Sequence, residues 1–374
     1  MNAPSLRWDQ YHIEKGARVR EFWQTRRVGG RTLHVMGLGF DPRTPLILEI
    51  LVGAGTGPID VRLLHFDEGP DSVSQRYATE VSANEEMVRS LVAKAGGRVT
   101  DIHVPMIEED RRVGGRRVGT LATDVGFHGY SDVIVDISAL PRALYFPLIR
   151  TFLKYVDTNQ AGANSETTNL HVTLSESPTF DASVREQLTE RAEFLPGFLG
   201  TVELEQDEDM PRVWAPVLGE QQSEALKLIE QKARVLDNAP EICPVLPFPA
   251  LDPRRGDRLL LEYRGLFDSW RVDPRNIIYA SEHNPFGVYR QLCALYDRYS
   301  RALQPLRGAK MIISAHSSKL LSLGALLAAC DRPEVAVAYV EAQGYQVDGP
   351  LAPPADTVPY EIWIAGEPYT VHEN

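Results

Sequence analysis

The sequence predicts an α/β protein made of two Rossmann-like lobes with mostly parallel sheets. Three observations carry this. Short apolar runs rich in β-branched residues recur along the 374 residues, stretches of helical spacing separate most of them, and the pattern restarts after a polar and acidic break within 175–210. Strands that alternate with helices cannot pair as tight hairpins, so they assemble through crossovers into parallel sheets. The expected organisation is an N-terminal lobe over 1–175, a C-terminal lobe over 210–345 and a tail with a hairpin over 346–374.

In the first lobe, residues 1–27 are polar and aromatic, and Arg27-Val28-Gly29-Gly30-Arg31 offers a two-glycine turn. Thr32–Met36 reads as the first strand. Pro45–Val52 is apolar and short, which leaves helix and strand both open. Asp60–Phe66 is a strand, Ser72–Ala95 a helix with Val81, Val88, Leu91 and Val92 near one face, and Val99–Val104 a third strand. Residues 108–119 read as a charged loop whose RRVGGR repeats an earlier hexapeptide; six residues are too few for a duplication, and two separate glycine turns explain them. Strand Asp132–Ile137, helix Ala139–Tyr155, a polar linker over 157–168 and strand Leu170–Leu174 complete the lobe.

After the acidic loop Glu203–Asp209 the alternation resumes with strand Val213–Val217 and helix Glu220–Val235. Cys243–Phe248 is strand-like, and its prolines place it at a sheet edge. Helix Arg254–Phe267, strand Asn276–Ala280, helix Pro285–Leu303, strand Ala309–Ser314, helix Ser317–Cys330 and strand Val335–Glu341 follow. The tail carries a hairpin over Tyr360–Val371, turning at Ala365-Gly366-Glu367-Pro368.

Composition bounds the function. A hydrophobic content of 43% with 24% charged residues supports a sizeable core. A net charge of −12 argues against general affinity for duplex nucleic acid, which needs clustered Lys and Arg. No apolar run approaches the roughly 20 residues of a membrane span, and the start lacks a secretory pattern, so a cytoplasmic protein with no membrane partner is expected. Cys243, Cys293 and Cys330 are scattered and odd in number, and the histidines lack ligand spacing; reduced thiols, no metal and no cofactor are expected.

Chemistry concentrates at three strand-to-helix junctions. Open α/β sheets hold ligands at the carboxyl ends of their strands. At the first junction, Gly37 and Gly39 allow close backbone approach and Arg43 supplies charge, yet Asp41-Pro42 also reads as a helix cap followed by proline. The same Asp-Pro-Arg recurs at Asp252 and Asp273. At the second, Asp136, Ser138 and Arg142 either contact a ligand or orient one another. At the third, Ser314, His316, Ser317, Ser318 and Lys319 gather at the start of an apolar helix, where exposed N–H groups and the helix dipole favour an anion; a serine cap with a solvated lysine is the plainer alternative. Glu341 and Tyr345 can close that pocket. Ser281-Glu282-His283-Asn284 offers a general base or a polar turn, and His65, Asp67 and Glu68 stand where acidic residues of such sheets meet a ribose hydroxyl. A nucleotide or other phosphate-bearing small molecule is the expected partner.

The run from Lys310 to Tyr345, with its Ser-Ser-Lys turn and small-residue helix, resembles the closing unit of the CRISPR-associated Rossmann fold (CARF) and SAVED-like nucleotide sensors of prokaryotic antiviral defence. Asp136-Ile137-Ser138-Ala139-Leu140-Pro141-Arg142 is similar to that group's Asp-x-Ser/Thr-x-x-x-Arg turn. Where the group has glycine before the lysine, this chain has Ser317-Ser318, and no appended nuclease follows. The resemblance implies a homodimer, or a subunit of a defence complex, with Ser138, Arg142, Ser318 and Lys319 in a nucleotide pocket. Two rivals stand beside it: an enzyme on a nucleotide or phosphorylated metabolite, with Asp136 or Glu282 as base, His316 as acid or oxyanion donor and Lys319 on phosphate; and an interaction subunit whose turns are only caps.

Overall fold

The computed structural model describes residues 5–26, 30–67, 69, 72–108, 111–124, 129–160, 167–201, 210–234, 236, 241–352 and 354–369. The chain divides into a first unit, Tyr11–Gln187 with the residues from Ala342 onward, and a second unit, Leu188–Glu341 with the residues up to Gln10. The N-terminal segment joins the second unit through Trp8, which is buried and meets the Tyr289 ring edge-on at 5.2 Å.

The first unit is built on a seven-stranded sheet in the order His12–Lys15, Val358–Ala365, Asn169–Glu176, Tyr130–Asp136, Arg31–Gly37, Ile59–Asp67, Val99–Pro105. The last five pair in parallel, and the first two are antiparallel additions at one edge. Numbered along the chain, the parallel strands lie in the order 5-4-1-2-3, the doubly wound arrangement. Helices Ala17–Thr25, Leu46–Ala54 and Ala78–Lys94 cover one face, where Trp23, Ile47, Leu48, Leu51, Val88 and Val92 pack on Val61, Leu63 and Ile134.

Several elements differ from expectation. The ambiguous Pro45–Val52 is a helix, Leu46–Ala54, which Gly55 ends in the left-handed conformation at φ 75°. A two-residue hairpin (Ile107–Glu108 with Arg111–Arg112) precedes helix Gly114–Asp124, so the second half of the loop expected over 108–119 is helical. Helix Arg142–Gln160 runs into the expected linker. Before the first predicted strand, where only a glycine turn was read, strand His12–Lys15 and helix Ala17–Thr25 form; Arg27, Val28 and Gly29 of that turn lie outside the described residues. Of the expected C-terminal hairpin the described residues form one strand, Val358–Ala365, inserted between His12–Lys15 and Asn169–Glu176, with a short 3-10 turn at Glu367–Tyr369; Thr370 and Val371 lie outside the described residues.

The second unit repeats the strand order. Its sheet runs Ile278–Ala280, Val245–Pro247, Arg212–Leu218, Lys310–His316, Ala336–Val347, Val184–Phe194, with Glu241–Ile242 beside Arg212–Leu218. The first five pair in parallel and are again 3-2-1-4-5 along the chain. The predicted edge strand at Cys243–Phe248 lies one place inside, because Ile278–Ala280 pairs along its outer side. Its prolines are tolerated since the strand is only three residues long and its flanks still bond: Ile278 N donates to Pro244 O and Phe248 N to Ala280 O. Helices Ser223–Lys232 and Arg255–Trp270 pack on Trp214, Leu246 and Ile312. Helices Pro285–Ala302 and Lys319–Asp331 approach so closely that a Cβ on Gly324 would fall 2.3 Å from Pro285 O. Burial pushes the Cys243 thiol up to about 11 and the Cys293 thiol up to about 12, so both are unreactive packing groups. Among the described residues no helix is long and apolar enough to cross a membrane.

The inserted C-terminal strand of the first unit is locked by buried charge. Asp132 accepts from Arg26 Nε at 2.9 Å, His171 Nε2 lies 3.2 Å from Asp132 and its Nδ1 2.6 Å from Glu361, and the Arg26 guanidinium stacks 4.1 Å over the Trp363 ring. Burial would lower the His171 pKa, but Glu361 and Asp132 hold it above its ordinary 6.5. Burial raises Glu361, with His171 pulling against it. Asp132, despite burial, is held below the usual carboxylate range by His171 and Arg26. A histidine raised in the fold stabilises fully below 6.5 and loses that contribution as pH rises through its folded value; Glu361 has the same sign, whereas the Asp132 contribution is lost as pH falls. The melting temperature is therefore expected to decline as pH rises above 6.5, and His171→Gln to flatten that decline. Parallel profiles for the two proteins above that pH would contradict the assignment.

Candidate functional site

In a 3-2-1-4-5 sheet the loops after strands 1 and 4 turn to opposite faces and leave a crevice between their carboxyl ends. Each unit has one, and the three junctions singled out in the sequence fall there.

In the first unit the crevice lies between Arg31–Gly37 and Tyr130–Asp136, with Met36 in register with Asp136. A Cβ on Gly37 would come 2.7 Å from Leu140 Cδ2, and one on Gly39 3.3 Å from Ala139 Cβ, so the two turns lie in close contact. Asp136 Oδ1 accepts from Ser138 N at 2.8 Å, and Ser138 Oγ accepts from Ser175 N at 2.9 Å. Arg43 is buried, 2.7 Å from both Asp41 and Asp181, and donates to Ser175 O. Arg142 is the first residue of its helix and pairs with Glu186 at 3.0 Å. The sequence pattern did not reveal Asp181, Ser175 or Glu186, which come from elements far along the chain. Nor did it single out His34, fully buried with Nε2 3.8 Å from Asp136 Oδ2; desolvation lowers its pKa to about 3, so it is a neutral imidazole.

Asp41 is not the helix cap expected of Asp41-Pro42, because a turn over Pro42–Pro45 precedes helix Leu46–Ala54; of the three repeats only Asp273 caps, at a 3-10 turn. Arg43 N donates to Asp41 Oδ1 at 2.9 Å, and Arg254 N and Arg275 N do the same to Asp252 and Asp273 at the same distance. The tripeptide is a recurring aspartate turn. What distinguishes Arg43 is its burial between two carboxylates.

In the second unit the crevice lies between Arg212–Leu218 and Lys310–His316. Gly219 follows strand 1, and Ser317 Oγ donates to Leu218 O at 2.8 Å, tying the two turns together. Ser318 is the N-cap of helix Lys319–Asp331, its Oγ accepting from Leu321 N at 3.3 Å, and half-buried Lys319 opens that helix. Of the other predicted residues, Ser314 lies away from the turn: it is fully buried within the strand and accepts from Trp214 Nε1 at 3.1 Å. His316 is buried, and its Nε2 accepts from Val340 N at 3.3 Å, which places its proton on Nδ1. Tyr345 belongs to the first unit, where its N donates to Ser74 Oγ at 2.8 Å.

Next to this crevice the ends of strands 1, 2 and 3 carry an ion cluster. Arg255 donates Nε and Nη2 to the two oxygens of Glu220 at 2.7 Å each and Nη1 to Glu282, whose other oxygen accepts from Leu251 N at 2.8 Å. Burial would raise the Glu220 carboxyl, but Arg255 holds it below the usual range. Asn284 caps helix Pro285–Ala302, the polar-turn reading of that segment. Elsewhere in the first unit His65 Nε2 lies 2.9 Å from Asp101, and Arg89 pairs with both Asp101 and Glu85 at 2.7 Å. His65, Glu85 and Asp101 thus come within 4.8 Å of one another with an arginine already neutralising both carboxylates. The Asp67 side chain and Glu68 lie outside the described residues.

No family model matches the chain, and no curated protein matches it. Among solved structures it is similar to a protein assigned as a universal stress protein from Pseudomonas aeruginosa UCBPP-PA14, at 13% identity over 85% of this chain and 94% of that one with a TM-score of 0.22. It is also similar to a functionally unknown protein from Pseudomonas aeruginosa PAO1, at 11% identity over 85% and 93% with a TM-score of 0.23. At such scores the fold class rests on the strand orders above.

The close approach at Gly219 is testable. A Cβ there would fall 2.6 Å from His316 O and 2.9 Å from Ser317 Cα, both backbone, whereas Gly265, inside a helix, has nothing within 4 Å. In urea unfolding Gly219→Ala is expected to cost about 1–3 kcal/mol and Gly265→Ala to stabilise by about 0.5–1 kcal/mol. Equal changes in the two variants would show that the turns are not in contact.

Proposed function

We propose that the protein binds a nucleotide with its phosphate at the carboxyl-edge crevice of the second unit, and that it acts as a sensor in a prokaryotic defence or regulatory system. The observation that supports this most is the Ser317-Ser318-Lys319 turn. It stands at the strand-order reversal, opposite Gly219, and opens a 13-residue helix. First-turn N–H groups, a lysine and a close glycine are the parts from which phosphate sites are made. Strand order and helix starts repeat in the first unit, where Arg142 occupies the position of Lys319, and there an anion competes with Glu186 for the guanidinium.

Binding without turnover is favoured by the state of the acid–base candidates. Glu282 is held by Arg255 and Leu251 N, and the Asp136 carboxylate is buried away from solvent. A general base needs a free lone pair directed at its substrate. The resemblance of Asp136–Arg142 and Lys310–Tyr345 to CARF and SAVED-like sensors points the same way, and with it comes assembly as a homodimer or within a defence complex.

Calorimetric titration with a panel of nucleotides and cyclic oligonucleotides, followed by chromatography of the incubated ligand, tests this. Binding with the ligand recovered intact is expected; turnover would make the protein an enzyme, and no binding an interaction subunit. Lys319→Ala and Arg142→Ala are each expected to weaken affinity by about 1.5–3 kcal/mol, the worth of a charge-assisted hydrogen bond. Unchanged affinity in both would reject the site.

A further inference from the structure

Two aromatic rings of the second unit stand in solvent although its core has no lack of buried aromatics. Phe248 is 54% exposed and Tyr279 49%, whereas Trp214, Tyr263, Phe286 and Tyr289 are completely buried. The exposed rings are neighbours, with centroids 6.1 Å apart and planes at 76°. Their position is fixed: Phe248 directly follows strand Val245–Pro247, and its N–H is bonded to Ala280 O at 2.7 Å, so it sits at the carboxyl ends of strands 2 and 3.

That is the same edge as the Ser317–Lys319 turn, because all these strands are parallel. Strand Val245–Pro247 lies two places from Lys310–His316, a lateral separation of about 10 Å at ordinary strand spacing. The strand end between them carries Glu220, pinned in place by Arg255, a fixed carboxylate that can accept from sugar hydroxyls. An anion site, a fixed acceptor and an exposed π surface therefore follow one another along one sheet edge, in the order of the phosphate, sugar and base of a nucleotide.

We propose that Phe248 and Tyr279 form a stacking platform for the base of a nucleoside phosphate. This rests on the phosphate reading above and adds to it the class of ligand. Every base has a π face, so the platform takes purines and pyrimidines alike, with selectivity set by stacking strength. It also accounts for rings left in water at a functional edge, where an exposed apolar pair otherwise weakens solubility.

The test titrates wild type, Phe248→Ala, Tyr279→Ala and Lys319→Ala with adenosine, guanosine, cytidine and uridine monophosphates and, separately, with inorganic pyrophosphate. Phe248→Ala is expected to weaken the nucleoside monophosphates by roughly 5- to 150-fold, the loss of one base–aromatic stack, and to leave pyrophosphate unchanged, whereas Lys319→Ala weakens both. Phe248→Trp is expected to keep affinity and to show fluorescence quenching on nucleotide addition. Monophosphate affinity unchanged in both alanine variants while Lys319→Ala still weakens it would overturn the platform and leave the phosphate site standing. Wild type that binds neither ligand would overturn both. The two rings are exposed, so coincident thermal unfolding of the variants and wild type separates lost stacking from lost fold.

Discussion

The chain reverses direction across its first strand, and everything at the candidate site depends on that constraint. Crossovers between parallel strands are right-handed, so strands laid down in one direction keep their helices on one face, and the reversal at strand 1 sends the following helices to the other face. In the first unit Tyr130–Asp136 pairs with Arg31–Gly37; in the second Lys310–His316 pairs with Arg212–Leu218. The loops leaving the paired strands diverge, and a crevice opens where they part. A glycine stands at the end of strand 1 in both units, Gly37 as its last residue and Gly219 just beyond it, each close against the neighbouring turn.

The two crevices are equivalent in plan and different in state. Ser138 and Ser318 each lie two residues beyond the end of strand 4, and Arg142 and Lys319 each open the next helix. In the first unit these groups are committed: Ser138 to Ser175, Arg142 to Glu186, and nearby Arg43 to Asp41 and Asp181. In the second unit Ser318 caps its own helix, and the neighbouring carboxylates Glu220 and Glu282 are neutralised by Arg255. A paired guanidinium offers an anion less than its formal charge suggests, since the ligand must replace a carboxylate already in place. Under the proposed nucleotide-binding role, the committed Arg142 and Arg43 of the first unit are the reason the phosphate is assigned to the second.

Much of this plan was legible in the sequence because it is local. Apolar runs of β-branched residues, such as Val133–Val135 and Ile312–Ile313, marked buried strands, and the donors at 136–142 and 314–319 marked their ends. The repeated Asp-Pro-Arg announced its own turn. Non-local facts were illegible. Val358–Ala365 looked like half of a hairpin, yet its partners lie about 190 and 350 residues away by register, with Ile362 opposite Val172 and Ile13. Asp181 and Glu186 were unremarkable polar residues until the fold set them against Arg43 and Arg142. Leu46–Ala54 escaped assignment because Glu49 is its only polar residue, so its outer face, where Gly53 is exposed, carries no polar stripe to mark the helical period.

Hydrogen exchange of the full chain, with and without a saturating nucleotide, tests the central claim most directly. The account predicts slowed exchange at the amides of Gly219 and Glu220 and of Ser317 to Leu321, where the crevice and the first helical turn would meet the phosphate. Exchange unchanged there while the nucleotide is demonstrably bound would contradict it.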